Sequence, residues 1–200
     1  PLVVCNDGDV TALAGAMSLG EDGILGIAMG TSEAGGYVDQ KGNITGWLNE
    51  LAFVPCDLAQ DAMVDEWSGD RGCGVKYFSQ DAVIKLAPAA GICLEKSLSP
   101  AEKLKVVQAE MEKGNPEAAK IYETIGVYLG YTLAFYALFY DINHVLLMGR
   151  VTSGKGGDLV LAKAQEVLRA EYPQLKMQVN LPDEKSRRVG QSVAAASLPE

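Results

Sequence analysis

Histidine is almost absent from this sequence of 200 residues, which contains one, His144. The four cysteines lie far apart and include no Cys-x-x-Cys pair; they are Cys5, Cys56, Cys73 and Cys93. A zinc finger needs four clustered cysteine or histidine ligands, and a disulfide framework is typical of short, cysteine-rich secreted chains. The sequence therefore predicts neither feature, and it favours a reducing, cytoplasmic location.

Basic residues are scarce as well. The 17 Lys and Arg are outnumbered by 26 Asp and Glu, which gives a formal net charge of −9. Such a chain is a poor partner for nucleic acid or an anionic membrane, because both attract basic surfaces. With 48% hydrophobic residues it can still bury a large core. It opens on Pro1 with no signal-peptide pattern, and we expect it to be part of a longer protein.

No uncharged run is long enough to predict a membrane span. The best candidate, residues 124–140, falls short of the roughly twenty residues that a span needs, and threonines and tyrosines interrupt it. It contains Gly126 and Gly130 at Gly-x-x-x-Gly spacing, and its helical phasing extends back to Asn115 and Pro116. This pattern predicts a soluble helix whose small residues let a neighbouring helix or sheet come close.

Short apolar runs alternating with helical periods predict an α/β fold with a mixed β-sheet covered by helices. The predicted strands are 2–5, 24–29, 34–38, 145–148 and 176–181, with a further short extended segment at 43–44. The predicted helices include 10–19, one that starts with a capping box at Ser99, one that starts at Pro116, 156–170 and 186–197. The segment 50–72 has no sustained period and predicts a long loop, which in a compact domain often binds ligands.

Polar residues follow the first predicted strand. Asp7, next to Asn6, would be held rigidly at the edge of the sheet. A carboxylate there could accept a proton from a hydroxyl nucleophile. Asp7 or Asp9 could equally cap the helix that follows. The residues alone leave both interpretations open.

Glycine is concentrated between the next two predicted strands, in residues 30–36, Gly-Thr-Ser-Glu-Ala-Gly-Gly. Missing side chains let backbone amides approach a phosphate, and Thr31 would add a hydroxyl donor. A glycine-rich hairpin is more often only a turn. The segment therefore allows phosphate binding without requiring it.

A second glycine cluster begins at Gly149. It keeps the spacing of a P-loop as far as Gly154 and Lys155, but Gly156 replaces the Ser or Thr whose hydroxyl binds Mg²⁺. We therefore do not expect a P-loop here. The alternatives are a loop with a helix-capping Ser153 and a nucleotide contact through Gly149.

A carboxylate and an amide stand beside an indole where the long loop begins, at Trp47, Asn49 and Glu50. This combination suits a polyhydroxylated ligand, with hydrogen bonds to hydroxyls and stacking on a ring face. The alternative is a surface acid beside a packed tryptophan.

In this order and spacing, the four segments resemble the sugar-kinase family ROK (repressor, open reading frame, kinase), within the actin-like ATPase superfamily that includes hexokinase. Residues 6–13, Asn-Asp-Gly-Asp-Val-Thr-Ala-Leu, resemble the family's Asn-Asp-Ala-Asn segment. Residues 29–31, followed by Gly-Gly at 35–36, resemble its second phosphate loop. Glu50 falls on the Glu of its Glu-x-Gly-His sugar motif, and residues 145–149 resemble its late adenosine-side strand and glycine.

The resemblance spans nearly the whole chain but departs from the family motifs at several positions. Phe53 stands where the sugar motif has His. In the family's Cys-x-Cys-Gly-x-x-Gly-Cys-x-Glu motif, Glu66 and Ser68 replace two Cys and Val75 replaces the final Glu. The residues kept are Gly69, Gly72 and Cys73. One of four zinc ligands is left, so we expect no structural zinc and a divergent member whose sugar preference cannot be carried over.

The resemblance implies a lobe of an actin-like ATPase (ribonuclease H-like) fold in a two-lobed enzyme. Residues 1–22 would be the tail of the amino-terminal lobe and 23–200 the carboxy-terminal lobe, with the last helix packing back towards the first. The superfamily's first phosphate loop, of Asp-x-Gly-x-Thr type, does not occur in this sequence. We therefore expect the chain by itself to be inactive.

The implied activity of the full-length protein is phosphorylation of a sugar hydroxyl by ATP, with Mg²⁺ held mainly by the other lobe. The residues implied are Asp7 as catalytic base, Asn6 and Glu50 as sugar ligands, Gly30 and Thr31 at the transferring phosphoryl group, and Gly149 in the adenosine pocket. The expected partners are a sugar and ATP, and the resemblance also allows a homodimer. We expect this part of the protein to bind neither nucleic acid nor membrane. The alternative is a non-catalytic sensor of the same fold that binds sugar or nucleotide.

Overall fold

A computed structural model of the chain describes residues 6–182 and, beyond them, Ser192, Ala194 and Ala195. The predicted strand 2–5 lies outside the described residues. So does most of the predicted helix 186–197, of which the three described residues are helical.

The described helices are α1 (Asp7–Leu19), α2 (Gln80–Leu86), α3 (Pro100–Glu112), α4 (Pro116–Tyr136) and α5 (Gly154–Glu171). The strands are β1 (Ile24–Met29), β2 (Glu33–Val38), β3 (His144–Met148) and β4 (Gln178–Asn180). Short 3₁₀ turns occupy Leu51–Phe53, Gly74–Lys76 and Arg150–Thr152. The sheet has the order β2-β1-β3-β4, with β2 antiparallel to β1, β1 parallel to β3 and β3 parallel to β4. The predicted mixed sheet covered by helices is confirmed.

One face of the sheet carries α1 at very short range. A methyl group added to Gly36 would overlap the backbone of Gly8, and one added to Gly26 would overlap the backbone of Ala12. Glycine is needed at these positions because backbone lies directly on backbone. The first residues of α1 are thereby fixed beside the start of β2.

The other face of the sheet packs on α4 and α5, which lie against each other. A methyl group on Gly126 would meet Val160, and one on Gly130 would meet Val167, so the Gly-x-x-x-Gly pair does admit a close neighbour, namely α5. Fully buried side chains of β1 and β3 fill the space between the sheet and α4. None of the helices in the described residues has the length and hydropathy to cross a membrane.

The helix starts follow capping chemistry. Ser99 and Glu102 form the predicted capping box of α3, and the Asn115 side chain caps α4. By contrast, α1 starts at Asp7 and not at Val10 as predicted. The difference arises because polar residues extend a helix backwards when a good cap precedes them.

Two further predictions need correction or stay open. The predicted extended segment at 43–44 forms a single bridge between Ile44 and Val38 and not a strand, because the chain then turns at Gly46 and Asn49 with positive φ. The long loop after residue 50 is confirmed, since only one 3₁₀ turn and isolated bridges interrupt residues 50–72. The domain boundary at residue 22 stays a prediction. Ala194 packs with Val10 and Ala14 of α1.

Candidate functional site

A cleft of about 850 Å³ opens where β1 and β3 end. All six residues predicted for the site line it, although they come from four separate segments: Asn6, Asp7, Gly30, Thr31, Glu50 and Gly149. The carboxyl ends of parallel strands are where α/β sheets usually bind ligands. The structure thus brings the predicted residues to one place, while the role of each stays a prediction.

The start of α1 forms one wall of the cleft. The Asn6 side chain is the helix cap, since its Oδ1 accepts a hydrogen bond from the Gly8 amide at 2.8 Å. Asp7 Oδ1 lies 3.0 Å from the same amide, and the side chain is exposed to the cleft. Asp9 is buried and accepts a hydrogen bond from Asn49, so it is not the cap. The capping interpretation therefore belongs to Asn6, which leaves the Asp7 carboxylate facing the cleft.

Residues 30–32 form a tight turn between β1 and β2. The Gly30 amide donates to the Ser32 carbonyl at 2.9 Å, and the Gly30 carbonyl accepts from the Gln80 amide at 2.9 Å. A side chain added to Gly30 would meet nothing nearer than 3.9 Å, so this face is open to the cleft. The segment is a hairpin turn, as the alternative predicted, and its exposed Thr31 and Ser32 still line the cleft.

Asn49, the amide of the segment predicted to suit a polyhydroxylated ligand, is a buried residue that lines the cleft. It has a positive φ of 51°, and its Nδ2 donates to Asp9 Oδ1 at 3.3 Å and to the Trp47 carbonyl at 3.1 Å. The Tyr140 hydroxyl donates to Asn49 Oδ1 at 3.1 Å. Burial raises the pKa of Asp9, and the hydrogen bond from Asn49 partly offsets the increase. This network fixes the backbone that presents the exposed Glu50 to the cleft.

Trp47 does not line the cleft. Its ring stacks on Tyr37 with centroids 5.9 Å apart and lies 5.7 Å from the Tyr140 ring. The indole therefore contacts two tyrosine rings while the residue stays 52% exposed, so the packing that the second interpretation predicted is partial.

Glu33 is a buried acid at the base of the cleft that sequence reasoning missed. The residue is 4% exposed, and neither carboxyl oxygen has a hydrogen-bond partner among the described residues. It lies against Gly74, and the neighbouring Tyr136 hydroxyl is likewise unpartnered within the described part of the chain. Burial raises the pKa of Glu33 to about 8. A carboxyl group at this pKa is mostly protonated at pH 7 and can donate a hydrogen bond.

The segment after β3 forms the opposite wall. Gly149 has a φ of 98°, and a side chain there would overlap the Met29 backbone, so the ends of β3 and β1 touch. Lys155 Nζ donates to the Glu112 carbonyl at 2.9 Å and pairs with the Glu112 carboxylate at 3.5 Å. Lys155 therefore does not line the cleft, which agrees with the prediction that this segment is not a P-loop. Arg150, by contrast, does line it.

The loop that resembles the family's zinc motif contains ring packing and an ion pair at the positions that depart from the motif. Phe53 packs against Trp67 with ring centroids 5.7 Å apart, and Glu66 pairs with Lys76. Over the described residues, no three His, Cys, Asp or Glu side chains come close enough to hold a metal ion. Cys73 is buried, and its sulfur lies 4.0 Å from the Asp70 carbonyl.

Comparison with known proteins gives structural matches only. No family model matches the sequence, and no curated protein matches it. A ROK family glucokinase from Streptomyces griseus, solved with glucose and AMPPNP, is 21% identical with a TM-score of 0.75 over 99% of this chain and 68% of its own. A ROK hexokinase from Thermus thermophilus is 19% identical with a TM-score of 0.72 over 98% and 65%. A ROK family transcriptional regulator, a homologue of the E. coli MLC protein, is 18% identical with a TM-score of 0.74 over 99% and 52%.

These matches establish the fold. The chain has the mixed sheet and flanking helices of these ROK structures, so the predicted resemblance is confirmed at the level of fold. It spans between about half and two thirds of the length of the three proteins compared. Two of the three are sugar kinases and one is a regulator, which is why the activity needs a separate argument from the cleft.

Proposed function

We propose that this chain is the carboxy-terminal part of an ATP-dependent kinase that phosphorylates a sugar hydroxyl. The observation that carries the proposal is the convergence of Asp7, Glu50, Thr31 and Gly149 on one cleft. A kinase needs a base, polar groups for a polyol and a glycine-rich phosphate turn, and these groups here border a single space. The S. griseus glucokinase, of similar fold, was solved with glucose and AMPPNP, which supports the same ligand classes here.

Asp7 is the proposed base. Its carboxylate would orient the acceptor hydroxyl and take its proton as the oxygen attacks the terminal phosphorus of ATP. Asn6 and Glu50 would hold neighbouring sugar hydroxyls, since amide and carboxylate groups offer complementary donors and acceptors. The buried Asn49 network supports this role, because it leaves the position of Glu50 little freedom.

The nucleotide would occupy the part of the cleft between Thr31 and Gly149. The open face of Gly30 leaves room for a phosphoryl group, and Thr31 adds a hydroxyl donor. Close contact between Gly149 and Met29 makes a smooth wall on which an adenosine group could lie. The residues described do not by themselves form a Mg²⁺ site, so none of these steps is assigned to the metal.

The test is Asp7→Asn in the full-length protein, assayed on the sugar that the wild-type protein phosphorylates best. Asn keeps the Oδ1 acceptor for the Gly8 amide, and the cap at Asn6 is untouched. We expect kcat to fall at least about a hundred-fold, which is the usual contribution of a general base, with unchanged Tm and sugar affinity.

Glu117→Gln is the matched control, because Glu117 also lies in the first turn of a helix and is remote from the cleft. It should leave kcat unchanged. Retention of wild-type kcat by Asp7→Asn would refute the proposed mechanism.

A second candidate is a sensor that binds sugar or nucleotide without turnover. It is favoured by Phe53, which packs on Trp67 where the resembled motif has His, and by the regulator of similar fold. Calorimetric binding of glucose and ATP together with no phosphorylation of any hexose tested would select the sensor.

A further inference from the structure

Arg150 is the single lysine or arginine among the described residues that line the cleft. It is exposed, and it takes part in none of the ion pairs formed within the described part of the chain. The acids that line the same cleft belong to other segments: Asp7, Glu33 and Glu50. The cleft therefore carries its positive charge on one wall only, at the end of β3.

The backbone of Arg150 is fixed, and within residues 6–182 no ion pair holds its side chain away from the cleft. The Arg150 carbonyl accepts a hydrogen bond from Gln108 Nε2 at 2.8 Å. Gly149 is pressed against β1, and the Thr152 hydroxyl donates to the Gly149 carbonyl at 3.1 Å. The guanidinium thus extends from a rigid turn, which lowers the cost of placing it on a ligand.

Strand register puts Arg150 beside the glycine turn. Ala28 pairs with Met148, and Gly149 touches Met29, the next residue of β1. Gly30 follows β1 and Arg150 follows Gly149 after β3, and paired strands lie about 4.8 Å apart. A group seated on the Gly30 turn is consequently within the neighbourhood of the Arg150 side chain.

We propose that Arg150 binds the phosphate chain of the nucleotide and so makes the cleft selective for ATP and ADP over adenosine. This inference rests on the proposed function in taking the anion to be a nucleotide. A guanidinium can donate two parallel hydrogen bonds to phosphate oxygens, which a lysine cannot reproduce. With Arg150 on one wall and Asp7 and Glu50 on the others, the charge pattern would direct polyphosphate to one end of the cleft and neutral sugar to the other.

The test measures Kd values for ATP, ADP and adenosine in the full-length protein at fixed salt. Arg150→Ala should raise the Kd of ATP and ADP about 10- to 100-fold, which is typical for a lost hydrogen bond to a charged group, and leave that of adenosine unchanged. Arg150→Lys should recover part of the loss, because it restores charge without the fork geometry. Lys155→Ala is the matched control, since Lys155 belongs to the same segment but is bound to Glu112.

The outcomes separate this inference from the proposed function. An unchanged ATP affinity in Arg150→Ala, an equal loss for ATP and adenosine, or a wild-type protein that does not bind ATP would each overturn it. If the wild-type protein binds ATP with the expected dependence on Arg150 yet phosphorylates no sugar, the inference stands and the kinase proposal fails. If the protein is a kinase whose KM for ATP is the same in Arg150→Ala, the inference fails alone.

Discussion

The two faces of β2 are packed by different kinds of interaction. On one face, α1 lies so close that glycine backbone meets glycine backbone at Gly8 and Gly36. On the other face, Glu33 and Gly35 meet the 3₁₀ turns and the loop of residues 54–79, which we call the charged loop. The strand that follows the glycine turn is thus held by backbone contact with α1 on one side and, on the other, by Leu51 against Gly35 and Gly74 against Glu33.

The charged loop is centred on Lys76. Its ammonium group is 4% exposed and pairs with Asp65 at 3.3 Å, with Asp81 at 2.9 Å and with Glu66. Burial alone would lower the pKa of Lys76, but hydrogen bonds to these carboxylates raise it above the usual value. Elsewhere in the loop, Asp57 accepts hydrogen bonds from Tyr77 and Tyr128.

The contact between α1 and β2 and the charged loop should resist different perturbations. Backbone contacts do not depend on pH or salt but cannot accommodate one extra methyl group. Ion pairs tolerate changes of volume nearby but depend on the protonation and presence of each partner. Substitutions matched in size or charge can therefore test the α1–β2 contact and the charged loop independently.

The largest effect on stability is expected where α1 contacts β2. Gly36→Ala would place a methyl group inside the Gly8 backbone, and neither backbone segment can move without displacing α1 or β2. We expect a loss of at least about 3 kcal/mol in the free energy of unfolding, measured by chemical denaturation.

Gly30→Ala is its control, because the same methyl group there meets open space. It should unfold as the wild-type protein does. A wild-type midpoint for Gly36→Ala would mean that α1 does not lie on β2 in solution.

The next largest effect on stability is expected in the charged loop. Lys76→Met keeps the aliphatic stem but leaves Asp65, which is 6% exposed, without its cationic partner. Removing one member of a buried ion pair usually costs several kcal/mol, so we expect a loss of about 2 to 4 kcal/mol. Lys85→Met removes a more exposed charge paired with Glu66 at 3.4 Å and should cost less than about 1 kcal/mol. Equal losses in the two variants would contradict the central role of Lys76.

A third test uses the buried acid Glu33, which lies on the face of β2 opposite α1. The pKa of Glu33 is raised from 4.5 to about 8, so the folded state holds its proton more tightly than the unfolded state does. The contribution of Glu33 to the free energy of unfolding is therefore greatest below pH 4.5 and falls as pH rises towards 8, by at most about 1.4 kcal/mol per unit.

Glu33→Gln should remove this contribution, a difference of about 2 to 3 kcal/mol between pH 5 and 7. Tyr136 and Cys56 are the titratable neighbours, and burial raises the pKa of each, so neither titrates in this range. Glu95→Gln, at an exposed site, should retain the wild-type slope. Parallel slopes for wild type and Glu33→Gln would show that Glu33 is not buried as described.

Prediction from sequence worked where the signal is local. The bounds of β1 were exact because a continuous apolar run ends at a glycine turn, and the capping box located the start of α3. The six residues predicted for the site line one cleft, and each lies in a motif of neighbouring residues. The start of α1 lies three residues before the predicted one, because its cap is Asn6 and neither Asp7 nor Asp9.

Prediction failed where the determinant is a distant contact. Nothing near Glu33 in the sequence signals burial, which follows from its position against Gly74, forty-one residues later. The partners of Lys76 follow no helical or strand period, so the charged loop could be identified as a loop and not as an ion cluster. Arg150 carried a weak signal, a basic residue directly after a glycine at the end of a strand, that gained meaning only from the register of β1 and β3.

The smallest expected effect on stability comes from a test that separates two roles of Asn6, the residue that precedes α1. Asn6 caps α1 and is also the proposed sugar ligand. Asn6→Ala should cost about 1 kcal/mol of stability, whereas Asn6→Ser should cost little because serine caps almost as well. Both variants lose the amide, so glucose affinity, used as a probe of the sugar subsite, should fall in both.

Ser99→Ala provides the comparison for this last test. It removes the cap of α3, outside the cleft, and should lower stability by a similar amount of about 1 kcal/mol without any change in glucose binding. Stability from thermal unfolding and Kd from calorimetry, measured on the same samples, give the two readouts. Wild-type glucose affinity in Asn6→Ser would assign Asn6 to capping alone, and the sugar subsite would then have to be built from Glu50 and the Asn49 network.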